Sequence, residues 1–166
     1  TIGEIESFKE SAERNGSRAS TKVILFTEIE INERQSRMTG FPVGAEVYYI
    51  QRIHYLDDVP LILNHNYFLK RAVSGLTKEI AEDSIYRYLE QTLHMNIVNS
   101  KRIMTVEKMT EIDEKYLNMN VADYNCMAVI SSQTYNGDGV MFEYTQSRHR
   151  PDHFRFYDNA VRKTIS

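Results

Sequence analysis

The chain has 166 residues, 42% of them hydrophobic, which suits one domain with a core of its own and argues against wholesale disorder. Lys and Arg number 20 against 23 Asp and Glu, a net charge of −3 with the basic residues scattered, so the concentrated positive surface of a duplex-binding domain is absent. No apolar run nears the roughly 20 residues of a membrane helix, no basic-then-hydrophobic leader opens the chain, and the single cysteine, Cys126, leaves no internal disulfide and no cysteine-built zinc site.

Residues 4–15 place Ile5, Phe8 and Ala12 at helical spacing and end at Gly16, a helix-cap residue, which predicts a short amphipathic helix. From Thr21 to Ile31, Val23, Leu25, Thr27, Ile29 and Ile31 alternate with Ile24, Phe26, Glu28 and Glu30, the pattern of a strand buried mainly on one side. A brief helical turn is expected at Asn32–Arg37, then a turn punctuated by Gly40, Pro42 and Gly44. Glu46–Tyr55 and Leu61–Leu69 read as two strands of a hairpin joined through Asp57, Asp58, Val59 and Pro60. Residues 82–94 carry Ile85, Tyr88, Leu89 and Leu93 at helical spacing, with Asp83 or Ser84 as N-cap.

A strand is expected at Ile97–Lys108, followed by a short helix at Glu111–Leu117 capped by Thr110 with Asp113 three residues on. Two more strands, Cys126–Tyr135 and Val140–Arg148, flank the turn Asn136-Gly137-Asp138-Gly139, and Cys126 reads as a buried strand residue. Helices interspersed with antiparallel strands define an α+β fold, one domain with a mostly antiparallel sheet.

The polar alternation of two strands is what suggests function. At period 2, Arg52 and His54 share a face about 7 Å apart, a pair suited to an anion. Glu143, Thr145, Ser147 and His149 look one way, while Tyr144, Gln146, Arg148 and Arg150 look the other. If the hairpin turns at Asp57–Val59, Asn64 lies across from Arg52, and Asn64 and Asn66 share a face able to meet sugar hydroxyls. Asp83-Ser84-Ile85-Tyr86 opens a helix, where backbone N–H groups and the dipole favour an anion. Plainer roles stay open: Arg52 in a surface ion pair, Ser84 as a cap alone, Tyr86 as packing, Glu143 paired with Arg148, His149 merely solvated. Arg150 and Asp152 read as a charge pair fixing the final turn. His65, His94 and His153 read as surface residues.

The Arg52-x-His54 strand, the Pro60-led strand after it, and Glu143-x-Thr145-x-Ser147-x-His149-Arg150-x-Asp152 together resemble the effector-binding (UTRA) domain of GntR-type transcription regulators of the HutC branch, over about Ser7 to Phe156. Within that family Asp58–Pro60, Phe68–Arg71, Gly75-Leu-Thr, Asp83–Tyr86 and Ser147–Phe156 are most similar to the trehalose-operon repressors. The resemblance implies a chorismate lyase-like fold and an effector site of Arg52, His54, Asn64, Ser84, Tyr86, Glu143 and His149, with Lys9 or a backbone N–H of the first helix reaching the same anion. His54 stands where a second arginine is usual, and its charge would be favoured by a bound phosphate. Asn64 stands where a carboxylate is frequent, which fits a neutral sugar better than an amino sugar.

The implied protein is a cytoplasmic repressor. Residues 1–166 would serve as its effector-binding and dimerisation domain, forming a homodimer. The implied effector is a sugar phosphate, with trehalose 6-phosphate the first candidate and another, such as an amino-sugar phosphate, the second. Operator DNA would be reached only through a winged helix-turn-helix that a chain starting at Thr1 reads as lacking, and no membrane partner or cofactor is implied. A lyase-like enzyme is the rival class. Glu143 and His149 are conceivable as acid and base, but no nucleophile beside a base, metal cluster or glycine-rich phosphate loop appears, so no catalytic and no metal-binding residue is assigned.

Overall fold

Antiparallel pairing of six strands dominates the computed structural model, which describes residues 12–156 and 158–164. The strands are β1 (Ala19–Glu30), β2 (Glu46–Leu56), β3 (Val59–Leu69), β4 (Ile97–Lys108), β5 (Cys126–Asn136) and β6 (Met141–His149), in sheet order β1-β2-β3-β6-β5-β4. Strands consecutive in the chain make every neighbour pair except β3 with β6, where Asn64 faces Ser147 and Asn66 faces Thr145. That one long-range pairing sets the Asn64/Asn66 strand between the Arg52/His54 strand and the polar strand Glu143–His149.

Helical pieces are short. Helix α1 (Glu33–Thr39) starts in a capping box between Asn32 and Gln35 and ends at Gly40, whose φ of 90° is left-handed. Helix α2 (Lys78–Asp83) is capped by Thr77, and α4 (Glu111–Tyr116) by the expected Thr110–Asp113 box. The helix expected over 82–94 is instead broken. Ser84 adopts an extended conformation, ends α2, and caps the single turn α3 (Ile85–Arg87), which continues as a π turn over Tyr88–Thr92. The serine that signals a start does start a turn, but Thr77 starts a helix before it, and the two cannot run together through an extended residue. The helix expected over 4–15 lies largely outside the described residues; its C-terminal cap, Gly16 at φ 72°, is in place.

Strand parity splits the core. On one side of the sheet Val23, Tyr48, Ile50 and Phe68 pack with Val73, Leu76, Ala81, Ile85 and Leu89. On the other, Ile31, Phe41, Val47, Tyr67, Leu69 and Tyr144 form one cluster and Ile53, Leu63, Leu117, Met119, Met127 and Val129 another. Cys126, at the start of β5, is half-buried rather than buried. His65 is also not a surface residue: it is half-buried, with Nδ1 2.8 Å from the Tyr49 hydroxyl. His94 and His153 are exposed, as expected.

Candidate functional site

The side of the sheet that carries α2 and α3 also carries the polar cluster. Arg52 pairs across β2–β3 with Asn64, as the hairpin reading requires, and the next pairings bring Asn66 to Thr145 and Asn64 to Ser147 on β6. Period 2 then keeps His54, Glu143 and His149 on that side. The helical segment roofs one end, with Ala81 and Ile85 in the core and Tyr86 reaching down.

A continuous hydrogen-bonded chain runs through the cluster. The Tyr86 hydroxyl donates to Glu143 Oε1 (2.8 Å) and the Thr145 hydroxyl to Glu143 Oε2 (2.7 Å). Asn66 Nδ2 donates to Thr145 Oγ1 (2.8 Å), and Arg52 Nε donates to Asn66 Oδ1 (2.8 Å). Arg52 Nη1 reaches the Ala81 carbonyl at 3.2 Å. A guanidinium and a carboxylate are thus held in one site, joined through an amide and a hydroxyl rather than in direct contact. Beside them Asn64 Nδ2 lies 2.6 Å from His54 Nε2, and Thr21 Oγ1 lies 2.9 Å from His54 Nδ1.

Burial sets the charges. It draws the Arg52 guanidinium down to about 10, while the nearby Glu143 and Tyr86 act the other way, so Arg52 stays cationic at neutral pH. The Glu143 carboxyl is raised by burial, opposed by its bonds from Thr145 and Tyr86. Burial and then Glu143 push the Tyr86 phenol well above its usual value. His54 is held well below 6.5 by burial, then by Arg52 and His149. The second basic position of the β2 strand is therefore held toward its neutral form.

Other candidates fall in less direct places. His149 shares the face, its Nδ1 donating to the Ala128 carbonyl (3.2 Å) and its ring against Phe154. Ser84 Oγ accepts from Arg87 N (3.3 Å) as a cap, two residues before Tyr86. Asp83 is turned to Arg87, with an Nη1–Oδ2 distance of 3.3 Å. Lys9 lies outside the described residues. The suggested Glu143–Arg148 pair does not form: Arg148 is on the opposite face with Asp113, 2.9 Å away. The Arg150–Asp152 pair does form, at 2.7 Å. Thr21, Asn66 and Thr145 carry the bonds between the expected site residues; Asn66 is expected on the sugar-facing side, whereas Thr21 is not among the expected residues. Parity put Asn66 and Thr145 on the correct face, and only the β3–β6 register shows that they touch.

Residues 14–155 match the UTRA domain family. The chain belongs to that family. Its UTRA relatives include the HTH-type transcriptional regulator TreR of Bacillus subtilis, 32% identical over 161 residues that make up 97% of this chain and 67% of TreR. The regulator GmuR of the same organism is 26% identical over 81% of this chain and 56% of its own length. Among solved structures, the effector-binding domain of the B. subtilis trehalose repressor superposes with a TM-score of 0.74 at 32% identity, covering 87% of this chain and 99% of that domain. PhnF of Mycobacterium smegmatis, at 17% identity, shares the fold with a TM-score of 0.83 over 97% of this chain and 71% of PhnF. This UTRA chain accordingly has the architecture of a GntR-family effector domain, and TreR and GmuR are named as transcriptional regulators.

Proposed function

We propose that this domain senses a phosphorylated sugar, trehalose 6-phosphate being the first candidate, for a cytoplasmic GntR-type repressor whose winged helix-turn-helix contacts operator DNA. The observation that carries the reading is Arg52, a half-buried cation whose bonds end on neutral acceptors, an amide and a carbonyl, so that an anion can compete for its fork. Tyr86 and Ser84 supply hydroxyls, with His54 and the expected Lys9 at the margin. Glu143, Asn64 and His149 supply acceptors and a ring for the uncharged part of the ligand. The kinship with TreR favours trehalose 6-phosphate, and the neutral Asn64 weighs against an amino-sugar phosphate.

The work of the ligand is thermodynamic. A phosphate that takes Arg52 from the Ala81 carbonyl and Tyr86 from Glu143 binds a rearranged α2–α3 segment better than the unliganded one, and that difference biases the attached DNA-binding heads. A homodimer gives those heads a spacing to change, and exposed Ile103 and Val106 on edge strand β4 support self-association.

Thermal melting against trehalose 6-phosphate and trehalose tests the reading. At 100 times Kd the phosphate should stabilise by about 2.7 kcal/mol, roughly 5–10 °C for a domain of this size, while trehalose shifts little. Arg52→Lys, which keeps charge but loses the fork, should remove most of that shift. Equal shifts for the two sugars would overturn the anion site.

A further inference from the structure

Asn64 is 7% exposed, and its Oδ1 is buried with no hydrogen-bond partner, the lone side-chain atom in that condition among the described residues. Buried acceptors are rarely left so. The cause lies in its neighbours. An amide nitrogen only donates, so the 2.6 Å contact makes His54 Nε2 an acceptor. A neutral imidazole that accepts at Nε2 carries its proton on Nδ1, where Thr21 Oγ1 stands ready to accept at 2.9 Å. The tautomer of His54 and the orientation of Asn64 are thereby fixed together, and the amide oxygen is left over.

We propose that Thr21, His54 and Asn64 form a relay that holds the Asn64 amide with its oxygen free for the ligand, so that this position accepts a hydrogen bond from a hydroxyl on the uncharged part of the effector. The proposal rests on the effector-site reading above and gives the second basic position a different task. His54 is a positioning residue for a hydroxyl, and the anion falls to Arg52. Among the described residues, Thr21 from β1, Arg52 from β2, Asn64 from β3 and His149 from β6 lie about the imidazole, and Arg52 and His149 both disfavour its cation. Burial and the charge of Arg52 both disfavour the imidazolium. Were the ring to become cationic, Nε2 would have to donate, and Asn64 would turn its amide nitrogen to the ligand instead.

Two measurements on the intact chain test the relay. Nitrogen-15 spectra of the His54 ring at pH 7.5 should show a neutral imidazole protonated on Nδ1. Titration calorimetry with trehalose 6-phosphate should then find Thr21→Val, which denies Nδ1–H its acceptor and lets the amide turn, about 10-fold weaker than the parent. Thr21→Ser, which restores the hydroxyl, should bind within about threefold of it. A cationic or Nε2-protonated ring in the parent, or unchanged binding by Thr21→Val, overturns the proposal. A parent that binds no phosphorylated sugar removes the ligand half together with the reading it rests on, and the ring-nitrogen pattern alone then decides for or against the relay.

Discussion

Arg52 and Arg148 look alike in the sequence and differ in kind. Arg148 is tied at every nitrogen: Nε donates to both Asp113 oxygens at 2.9 and 3.0 Å, Nη2 to the Lys108 carbonyl at 3.0 Å, and Nη1 to Gln146 at 3.2 Å. It is 5% exposed and Asp113 fully buried, so the pair is a structural tie between β6 and α4. Asp113→Ala would strand a buried guanidinium and also remove the capping box of α4, and it should cost about 3–5 kcal/mol in urea denaturation. A loss below about 1 kcal/mol would show that water reaches Arg148 and that the tie is unimportant. The side of the sheet each arginine occupies could be read from parity. Which one is locked in an ion pair could not, because the answer lies in an aspartate 35 residues away. The same holds for Asn66 and Thr145, visible as polar neighbours of Asn64 and Glu143 but identifiable as the bridge to Arg52 only from the register.

Among the elements, hairpins were the most legible and helix boundaries the least. The β2–β3 hairpin is tighter than expected, with both strands running to a two-residue turn at Asp57 and Asp58. Both turn residues have positive φ, 48° and 69°, the signature of a type I′ turn. Asp-Asp hides this, since Asn-Gly or Asp-Gly is the usual marker, and the β-branched Val59 reads equally well as turn or strand. Arg18 secures the aspartates instead: its backbone N–H donates to Asp57 Oδ1 at 2.9 Å and its guanidinium pairs with Asp58. Asp58→Gly should relieve the left-handed strain at the loss of a largely exposed ion pair worth little, a net gain of about 0.5 kcal/mol in unfolding free energy by urea denaturation. A destabilised variant would mean that the Arg18 pair, not the backbone, sets the turn. The break at Ser84 was illegible for the opposite reason. Side-chain periodicity continues smoothly through it, and only the backbone records that two helical starts meet there.

At the scale of the whole molecule, the pairing of β3 with β6 completes one sheet that buries His54 and half-buries His65 and His149. Burial holds His54, His65 and His149 all below their ordinary value, most strongly His54. An unfolded chain takes up protons at these positions near pH 6.5, and the folded chain resists doing so. The stability they contribute is therefore complete above about pH 6.5 and is lost as pH falls toward the lowered folded values. Within that window each fully shifted histidine removes up to about 1.4 kcal/mol per pH unit. Glu143 works in the opposite sense, because a carboxyl raised by burial is destabilising when ionised and ceases to be so on acidification. Subtracting one variant from the parent isolates the imidazole. Between pH 7.5 and 5.5 the unliganded parent should lose stability, and His54→Gln, which can still accept from Asn64, should lose about 1 kcal/mol less over the same interval. Urea denaturation at each pH reads the difference. Parallel pH profiles for parent and variant would mean that His54 titrates in the fold much as it does in the unfolded chain, leaving the buried face open to protons and the neutral state of its ring unprotected.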